Sequence, residues 1–541
     1  MSQARSPADG VAAPVVDAIV VGAGFAGLYM VNRLCGLGMS VQGFEGGSDV
    51  GGTWYWNRYP GCRCDVESLE YSYSFDRDLE QEWEWTERYA PQPEILAYAR
   101  HVADRFDLRR HFRFDTRVKS ARWIEDEGLW EVQASGGLVQ RARFCIMATG
   151  CLSAGRTPHF EGLDLFRGRV LHTSTWPFEG VDFGGQRVAV MGVGSSGVQA
   201  IPLIAQHAAQ LHVLLRTPNY VVPARNSPLP PEQVQDWKAR YPEIRRRALG
   251  FKGGLLLDVG PSSASELDAQ AREAALEERW RIGGAFSFQS TFNDLQTNVE
   301  SNRLASDFLR AKIAGIVRNP AWAQWLQPEH LVGTRRLCVG TDYYEAYNRD
   351  NVELVNLRQE PLARFTPTGV IVGDREIGLD AMVFATGFDA MTGALSAIEV
   401  TGRGGRTLAQ HWHEGARAHL GLMPAGFPNL FAITGPGSPS VLSNVLVSIE
   451  QHVNWIADCL ACLQAAGKQQ ITAEDDAEQS WMAHVRDLGQ ATLFADGNSW
   501  YLGSNVPGKP RVFLPYSGGV PAYREHCARV AASGYPGFDI R

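Results

Sequence analysis

Two glycine-rich turns are the first residues of this chain whose types and spacing suggest chemistry. Gly22-Ala-Gly24-Phe-Ala-Gly27 follows the strand-like run 17–21, and Gly192-Val-Gly194-Ser195-Ser196-Gly197 follows the strand-like run 186–191. A helical pattern follows each turn. Glycine lets the backbone approach a pyrophosphate there, and the helix N-terminus faces the phosphates. The sequence therefore predicts two dinucleotide sites.

The residue that ends the next strand of each unit predicts which nucleotide binds. Glu45 follows a strand predicted over 40–44, and a carboxylate there accepts hydrogen bonds from a ribose with a free 2′-hydroxyl. Arg216 follows a strand predicted over 211–215, and a guanidinium there pairs with a 2′-phosphate. We expect FAD or NAD at the first turn and NADP(H) at the second, hence a flavoprotein that uses NADPH.

The elements that position these turns are those of an α/β fold with two Rossmann-like dinucleotide-binding domains. Two strand patterns, 144–147 and 382–384, each end in Ala-Thr-Gly, and we interpret them as the points where the chain crosses between the domains. This predicts a flexible N-terminal leader over 1–16, an FAD domain over 17–150 and 385–541, and an NADP domain over 151–384. A length of 541 residues suits about three packed units.

A helical insertion is predicted over about 228–331, where the strand and glycine pattern stops. The apolar spacing of Leu304, Phe308, Leu309, Ile313 and Val317 is typical of one helix face. The insertion either caps the substrate cleft or elaborates the structure alone, and the sequence does not choose between these roles.

Bulk composition excludes several classes of protein. A net charge of −8 leaves no basic field for nucleic acid. No apolar run approaches the ~20 residues that span a bilayer, and the N-terminus lacks a hydrophobic signal core, so we expect no membrane partner and a cytoplasmic location. The oligomeric state stays open, and a monomer is compatible with the sequence.

The cysteines predict free thiols and no metal site. Nine are scattered along the chain, an odd number that argues against a disulfide framework. Cys459 and Cys462 have dithiol spacing but lie in a helical pattern without a second ligand pair. Cys62 and Cys64 are too close for an ordinary dithiol.

A dense motif lies between the two nucleotide units. Phe166-Arg-Gly168-Arg-Val-Leu-His172-Thr-Ser-Thr-Trp176-Pro177 fits the pattern FxGxxxHxxxWP at every specified position. It resembles the signature of the flavin-dependent Baeyer-Villiger monooxygenases. The block 51–65, GGTWYWNRYPGCRCD, resembles their flavin-side motif, and 333–352 is similar to their Lys-Arg segment. The likeness runs from about residue 17 to the C-terminus.

The resemblance implies roles for individual residues. Asp65 would face the isoalloxazine, Arg336 would be the active-site arginine, and Arg63 would lie near the nicotinamide. Arg335 stands where many relatives have Lys, and would assist the 2′-phosphate with Arg216 and Thr217. The remaining implied cofactor contacts are Thr53, Trp54, Tyr71 and Val118 toward FAD, and Trp500, which would help to close the site.

The reaction implied by the resemblance is conversion of a ketone to an ester or lactone with O2 and NADPH, through a flavin C4a-peroxide. Arg336 would stabilise the developing negative charge, and Asp65 would position Arg336. The connector residues His172 and Trp176 are interpreted as domain-coupling residues rather than as direct catalysts. Position 151 carries Cys151 and position 445 carries Val445 where relatives can carry Gln and Met, so the ketone, linear, cyclic, aromatic or steroidal, is not predicted.

Three alternatives remain at this point. An N- or S-oxygenating flavin monooxygenase shares both nucleotide sites but typically lacks Trp176-Pro177. A flavin disulfide reductase needs a reactive CxxC beside the flavin, and only Cys62 and Cys64 are near. A silent nucleotide-binding regulator would be expected to have lost Arg336 or Asp65.

Overall fold

The structure is a computed structural model that describes residues 14–541. The predicted leader therefore lies, over residues 1–13, outside the described residues. The strands are β1 Val16–Val21, β2 Val41–Phe44, β3 Phe112–Arg113, β4 Val118–Ile124, β5 Leu129–Ala134, β6 Val139–Met147, β7 Arg169–His172, β8 Arg187–Met191, β9 Gln210–Leu215, β10 Val221–Pro223, β11 Cys338–Gly340, β12 Val352–Asn356, β13 Leu362–Thr366, β14 Gly369–Val372, β15 Arg375–Gly378, β16 Ala381–Phe384, β17 Glu399–Thr401, β18 Leu430–Ala432, β19 Ile471–Ala473 and β20 Phe538–Ile540.

The helices flank and connect these strands. They are α1 Phe25–Gly36, α2 Thr53–Trp56, α3 Arg77–Glu82, α4 Gln92–Arg105, α5 Ser195–His207, α6 Pro231–Ala248, α7 Ala269–Ile282, α8 Ala285–Gln289, α9 Val299–Ile316, α10 Pro320–Trp325, α11 Gly393–Ser396, α12 Leu408–His411, α13 Val445–Ala465, α14 Asp475–Gln490 and α15 Val520–Ala532.

An eight-stranded sheet contains the first glycine turn. Its order is β17-β4-β5-β6-β1-β2-β3, and β18 pairs with the second half of β6. Residues of β1 alternate between two cores: Ala18 and Val20 pack on one face, and Ile19 and Val21 on the other. A central strand that is covered on both faces needs such a continuous apolar run. This is why the sequence alone predicts a strand over 17–21.

A five-stranded, all-parallel sheet contains the second glycine turn. Its order is β12-β9-β8-β16-β7. The same alternation recurs in β8, where Val188 and Val190 face one core while Ala189 and Met191 face another. The small antiparallel sheet β13-β14-β15 contributes Phe365 and Val370 to the second of these cores.

The segment predicted as a helical insertion contains α6 to α10, and no strand lies between β10 and β11 in the described part of the chain. The helix predicted from the apolar spacing around Leu304 is present as α9, although Leu304 itself is 37% exposed. Ala305, Leu309 and Ile313 form the buried face, because residues four apart share one side of a helix and Leu304 lies about 140° away from Leu309.

All nine cysteines are free thiols, and Cys459 and Cys462 both lie on α13. Among the helices described for residues 14–541, none combines the length and apolarity required to cross a bilayer.

Candidate active site

The first glycine turn packs β1 closely against α1. A Cβ at Gly27 would lie 1.8 Å from the carbonyl oxygen of Gly22, and Gly22 itself has a φ of +108° beside the carbonyl of Ala148. The N-cap residue Gly24 supplies no side-chain cap, and the first turn of α1 carries no acidic residue. The first amide groups of α1 are therefore available to an anion.

Glu45 lies directly beside this turn. Its carboxylate accepts hydrogen bonds from the backbone N–H groups of Ala23, at 2.8 Å, and Gly47, at 2.7 Å. Burial raises the pKa of Glu45, and these hydrogen bonds oppose the rise. Each carboxylate oxygen retains a further lone pair, so Glu45 can also accept from ribose hydroxyls.

The second glycine turn packs its strand against its helix in the same way, but leaves more free space around the turn. A Cβ at Gly197 would lie 2.1 Å from the carbonyl oxygen of Gly192, whereas a Cβ at Gly194 would meet no atom within 4 Å. Ser195 is exposed and Ser196 is half-buried at the start of α5, and Gly194 supplies no side-chain cap. A phosphate has both space and free amides here.

Arg216, Thr217 and Arg335 lie around the end of β9. Neither arginine forms an ion pair with a carboxylate within the described residues, and the Nε atom of Arg335 is buried without a hydrogen-bond partner. Burial lowers the pKa of Arg335, and the like charge of Arg216 lowers it further. Two adjacent unpaired guanidiniums of this kind favour an anionic ligand.

Asp65 and Arg336 meet in a two-point ion pair although 271 residues separate them. Arg336 Nε donates to Asp65 Oδ2 at 2.7 Å, and its Nη2 donates to Oδ1 at 2.8 Å. Its Nη1 donates to the carbonyl of Val441 at 2.8 Å, so three contacts fix the guanidinium.

Charge and burial act in opposition at this pair. Burial raises the pKa of Asp65, but Arg336 outweighs it, and the pKa ends below its usual range. Burial would lower the pKa of Arg336, but the charge and hydrogen bonds of Asp65 hold that pKa above its usual value. Both groups therefore stay ionised, in a geometry that presents a fixed cation.

Arg63 does not join that pair. Its Nη1 donates to the Glu87 carboxylate and to the carbonyl of Tyr89. The same segment contacts α5, because Gln199 donates to the Arg63 carbonyl at 3.1 Å and accepts from the Tyr59 hydroxyl at 2.9 Å. Gln199 and Glu87 were missed by sequence reasoning, since neither belongs to a recognisable motif.

The other expected flavin contacts lie in the first unit. Thr53 begins α2, and Trp54 donates from Nε1 to the Tyr71 hydroxyl at 3.2 Å, with both rings nearly buried. Val118 is the buried first residue of β4. Trp54 and Tyr71 thus form one contact pair, whereas Val118 belongs to the antiparallel part of the sheet.

The connector motif places His172 where two linkers run side by side. Segments 154–156 and 387–389 pair antiparallel, and His172 Nε2 lies 3.0 Å from the carbonyl of Arg156 and 3.3 Å from Thr386 Oγ1. Its Nδ1 accepts from the backbone N–H of Ser174. The imidazole therefore binds both linkers at once.

The remaining motif residues pack around this junction. Trp176 is 3% exposed beside Phe183, and Phe166 contacts Phe365. A Cβ at Gly168 would lie 2.7 Å from the carbonyl of Asp380. Pro177 follows Trp176 and is partly buried.

Trp500 is partly buried, and its neighbour Tyr501 is the residue that approaches Arg336. The Trp500 and Tyr501 rings lie 4.4 Å apart. Burial raises the pKa of the Tyr501 hydroxyl, and the charge of Arg336 opposes part of that rise. Sequence reasoning selected Trp500 and missed Tyr501, because a neighbouring position in a loop gives no periodicity from which orientation could be read.

Cys151 and Val445 differ in surroundings. The Cys151 thiol lies 3.4 Å from Thr434 Oγ1, near the linker that leaves β6. Val445 is the half-buried first residue of α13, next to the loop whose Val441 carbonyl contacts Arg336.

Known proteins resemble this chain along nearly its whole length. A family model described as flavin-binding monooxygenase-like matches residues 16–231. A Baeyer-Villiger monooxygenase from Pseudooceanicola batsensis is 41% identical over 522 residues, which cover 96% of this chain and 95% of that protein. The solved structure of an oxidized steroid monooxygenase bound to NADP has a TM-score of 0.93 at 49% identity, covering 97% of this chain and 99% of the other. The structure of OTEMO in complex with FAD and NADP has a TM-score of 0.94 at 40% identity, covering 98% and 100%.

Proposed function

Because this chain belongs to the Baeyer-Villiger monooxygenases, we propose that it uses NADPH, FAD and O2 to insert one oxygen atom beside a ketone carbonyl, giving an ester or lactone. The observation that carries the proposal is the two-point pair of Asp65 and Arg336. It presents a permanent, immobilised cation, which is what a reaction that develops negative charge at oxygen requires.

The residues present fit both nucleotides. The uncapped amides of α1 and the Glu45 carboxylate suit the pyrophosphate and ribose of FAD. The open turn at Gly194 and the unpaired Arg216 and Arg335 suit NADPH with its 2′-phosphate. FAD reduced by NADPH supplies the activation of O2 when it is bound.

Arg336 is the proposed electrostatic catalyst. A preorganised donor of this kind contributes about 3–4 kcal/mol to the stabilisation of developing charge in other enzymes. Asp65 is a positioning residue, because it fixes the guanidinium by two hydrogen bonds and supplies its countercharge. The Val441 carbonyl orients the third nitrogen.

The loop that carries Trp500 is proposed to exclude water from the site. Its later residues contact the paired linkers: Asn505 donates to the Phe388 carbonyl at 2.7 Å, and Lys509 pairs with Asp389. A loop held at both the arginine and the linkers can couple closure to domain position.

The division into domains follows the sheets. We propose an FAD domain over 17–150 and 385–541, and an NADP domain over 151–384. Support comes from strand pairing, since β17 and β18 join the sheet of β1 whereas β7 to β9, β12 and β16 form the other. In this arrangement Asp65 and Arg336 come from different domains.

The Arg336→Ala variant tests the function. We expect the FAD-loaded variant to retain flavin reduction by NADPH but to lose ester formation by at least about 100-fold, because one fixed donor is removed. Stopped-flow absorbance measures reduction, and mass spectrometry of a ketone panel detects products that have gained one oxygen atom. Arg318→Ala, at an exposed position, is the control. Wild-type ester yield from Arg336→Ala would overturn the proposal.

A further inference from the structure

The carboxyl edge of the second sheet carries two arginines on neighbouring strands. β9 and β12 are paired in parallel with Leu215 opposite Asn356, and the backbone N–H of Leu357 donates to the Leu215 carbonyl at 2.8 Å. Arg216 directly follows β9, and Arg358 follows the corresponding end of β12. Parallel register therefore brings both side chains to one edge.

Arg335 joins them from the loop before β11. Asn219, three residues after Arg216, donates from its side chain to the carbonyl of Arg336 at 2.9 Å, so this loop lies beside the segment that follows β9. Burial lowers the pKa of Arg335, and the charges of Arg216 and Arg358 lower it further, which places both within electrostatic range of Arg335. Within the described residues, the carboxylate nearest to this group is Glu329, 3.3 Å from Arg358, with side chains 50% exposed for Arg358 and 84% for Glu329. An ion pair that is this exposed contributes little, so repulsion among the three cations remains.

We propose that Arg358 is a third guanidinium of the 2′-phosphate site and that Glu329 competes weakly with the ligand for it. The inference rests on the proposed NADPH site. A phosphate monoester carries close to two negative charges and three acceptor oxygens, so it relieves the repulsion and gives each arginine an acceptor. Arg358 is a specificity residue in this scheme: it distinguishes a nucleotide with a 2′-phosphate from one without.

Calorimetric titration of the FAD-loaded enzyme, without turnover, tests this role. The probes are 2′,5′-ADP, which carries the 2′-phosphate, and 5′-AMP, which lacks it. Arg358→Ala is expected to weaken 2′,5′-ADP binding by about 5- to 10-fold and to leave 5′-AMP binding unchanged. Glu329→Gln is expected to strengthen 2′,5′-ADP binding about two- to threefold, because the competing carboxylate is lost.

Arg364→Ala, an exposed arginine on β13, is the matched control and should bind both probes as the wild type does. Unchanged 2′,5′-ADP affinity in Arg358→Ala, or an equal loss for both probes, would overturn the role of Arg358. Unchanged affinity in Glu329→Gln would overturn the role of Glu329. A wild type that does not prefer 2′,5′-ADP over 5′-AMP would instead overturn the NADPH assignment itself.

Discussion

Asp65 and Arg336 illustrate at the scale of single residues how burial and pairing combine. Each is costly to bury alone, and Asp65 stays ionised here because Arg336 supplies an opposite charge and two hydrogen bonds. The pair is therefore sensitive to the loss of either partner.

The Asp65→Asn variant separates charge from shape. An amide nitrogen would face one guanidinium nitrogen, so we expect one hydrogen bond and the countercharge to be lost, and ester formation to fall about 10- to 100-fold. Flavin reduction by NADPH should change much less, and stopped-flow kinetics measures both steps. Asp65→Glu keeps the charge and should retain more activity than Asp65→Asn; the reverse order would contradict a positioning role.

The raised pKa of the Glu70 carboxyl predicts that the stability of the fold depends on pH. Burial raises its pKa from the ordinary value of 4.5 to about 7, and its carboxylate accepts from the backbone N–H of Leu256. Since the folded pKa is the higher one, its stabilising contribution is complete below about pH 4.5 and is lost as the pH rises through about 7. Glu70→Gln should therefore raise Tm at pH 8 relative to the wild type.

Thermal unfolding at pH 5 and pH 8 measures this difference. The gain in Tm for Glu70→Gln should be smaller at pH 5, because the wild-type carboxyl is then largely protonated. Glu414→Gln, at an exposed position, should show no such dependence. An equal gain at both pH values would exclude titration of Glu70 as the cause.

At the scale of elements, the two linkers between the sheets form one paired unit. Segments 154–156 and 387–389 are hydrogen-bonded to each other, and His172 at the end of β7 contacts Arg156 and Thr386. Hinge residues in other enzymes lie at element ends, far from the chemistry. The connector motif thus acts on domain position in our proposal.

The His172→Phe variant tests this coupling. The aromatic ring fills the space but loses the hydrogen bonds, so we expect flavin reduction by NADPH to slow about tenfold while FAD content stays at the wild-type level. Stopped-flow kinetics and the flavin-to-protein absorbance ratio are the measurements. His172→Gln, which keeps a donor, should recover part of the rate, whereas a simple loss of folding would lower FAD content in both variants.

For the whole molecule, two nucleotide units share one chain. The first sheet takes strands from both ends of the described chain and the second only from its middle. Ligands that bind only the folded state stabilise it by mass action, so each cofactor should contribute its own increment to stability.

Thermal unfolding with separate additions measures these increments. NADP+ at 100 times its Kd should stabilise the FAD-loaded protein by about 2.7 kcal/mol. At the same concentration, Arg216→Ala should lose most of this increment and retain that of FAD, because only the second site has lost a charge. Loss of both increments would show that the sites are not independent.

The sequence by itself determined the α/β class, both glycine turns and the family. Turn geometry and strand burial leave patterns among residues that are adjacent in the chain, and the family is identified by motifs of the same kind. Gly27 and Gly197 are readable since each must be glycine for a helix to pack on its own strand. The composition between β10 and β11 predicted helices there, but it did not predict that Leu304 is exposed. The spacing of apolar residues along a helix does not say which side of that helix faces the core.

The family resemblance implied that Asp65 positions Arg336, and the tertiary structure supplied the two-point geometry of that pair. Only the tertiary structure decided that Gln199 contacts Arg63 and that Arg358 lies within electrostatic range of Arg335. Such contacts depend on sheet order and on the docking of whole units, which no local pattern encodes. Local spacing therefore identified the two nucleotide cofactors. Tertiary packing fixed the position of the Arg336 guanidinium, which we propose as the catalytic cation.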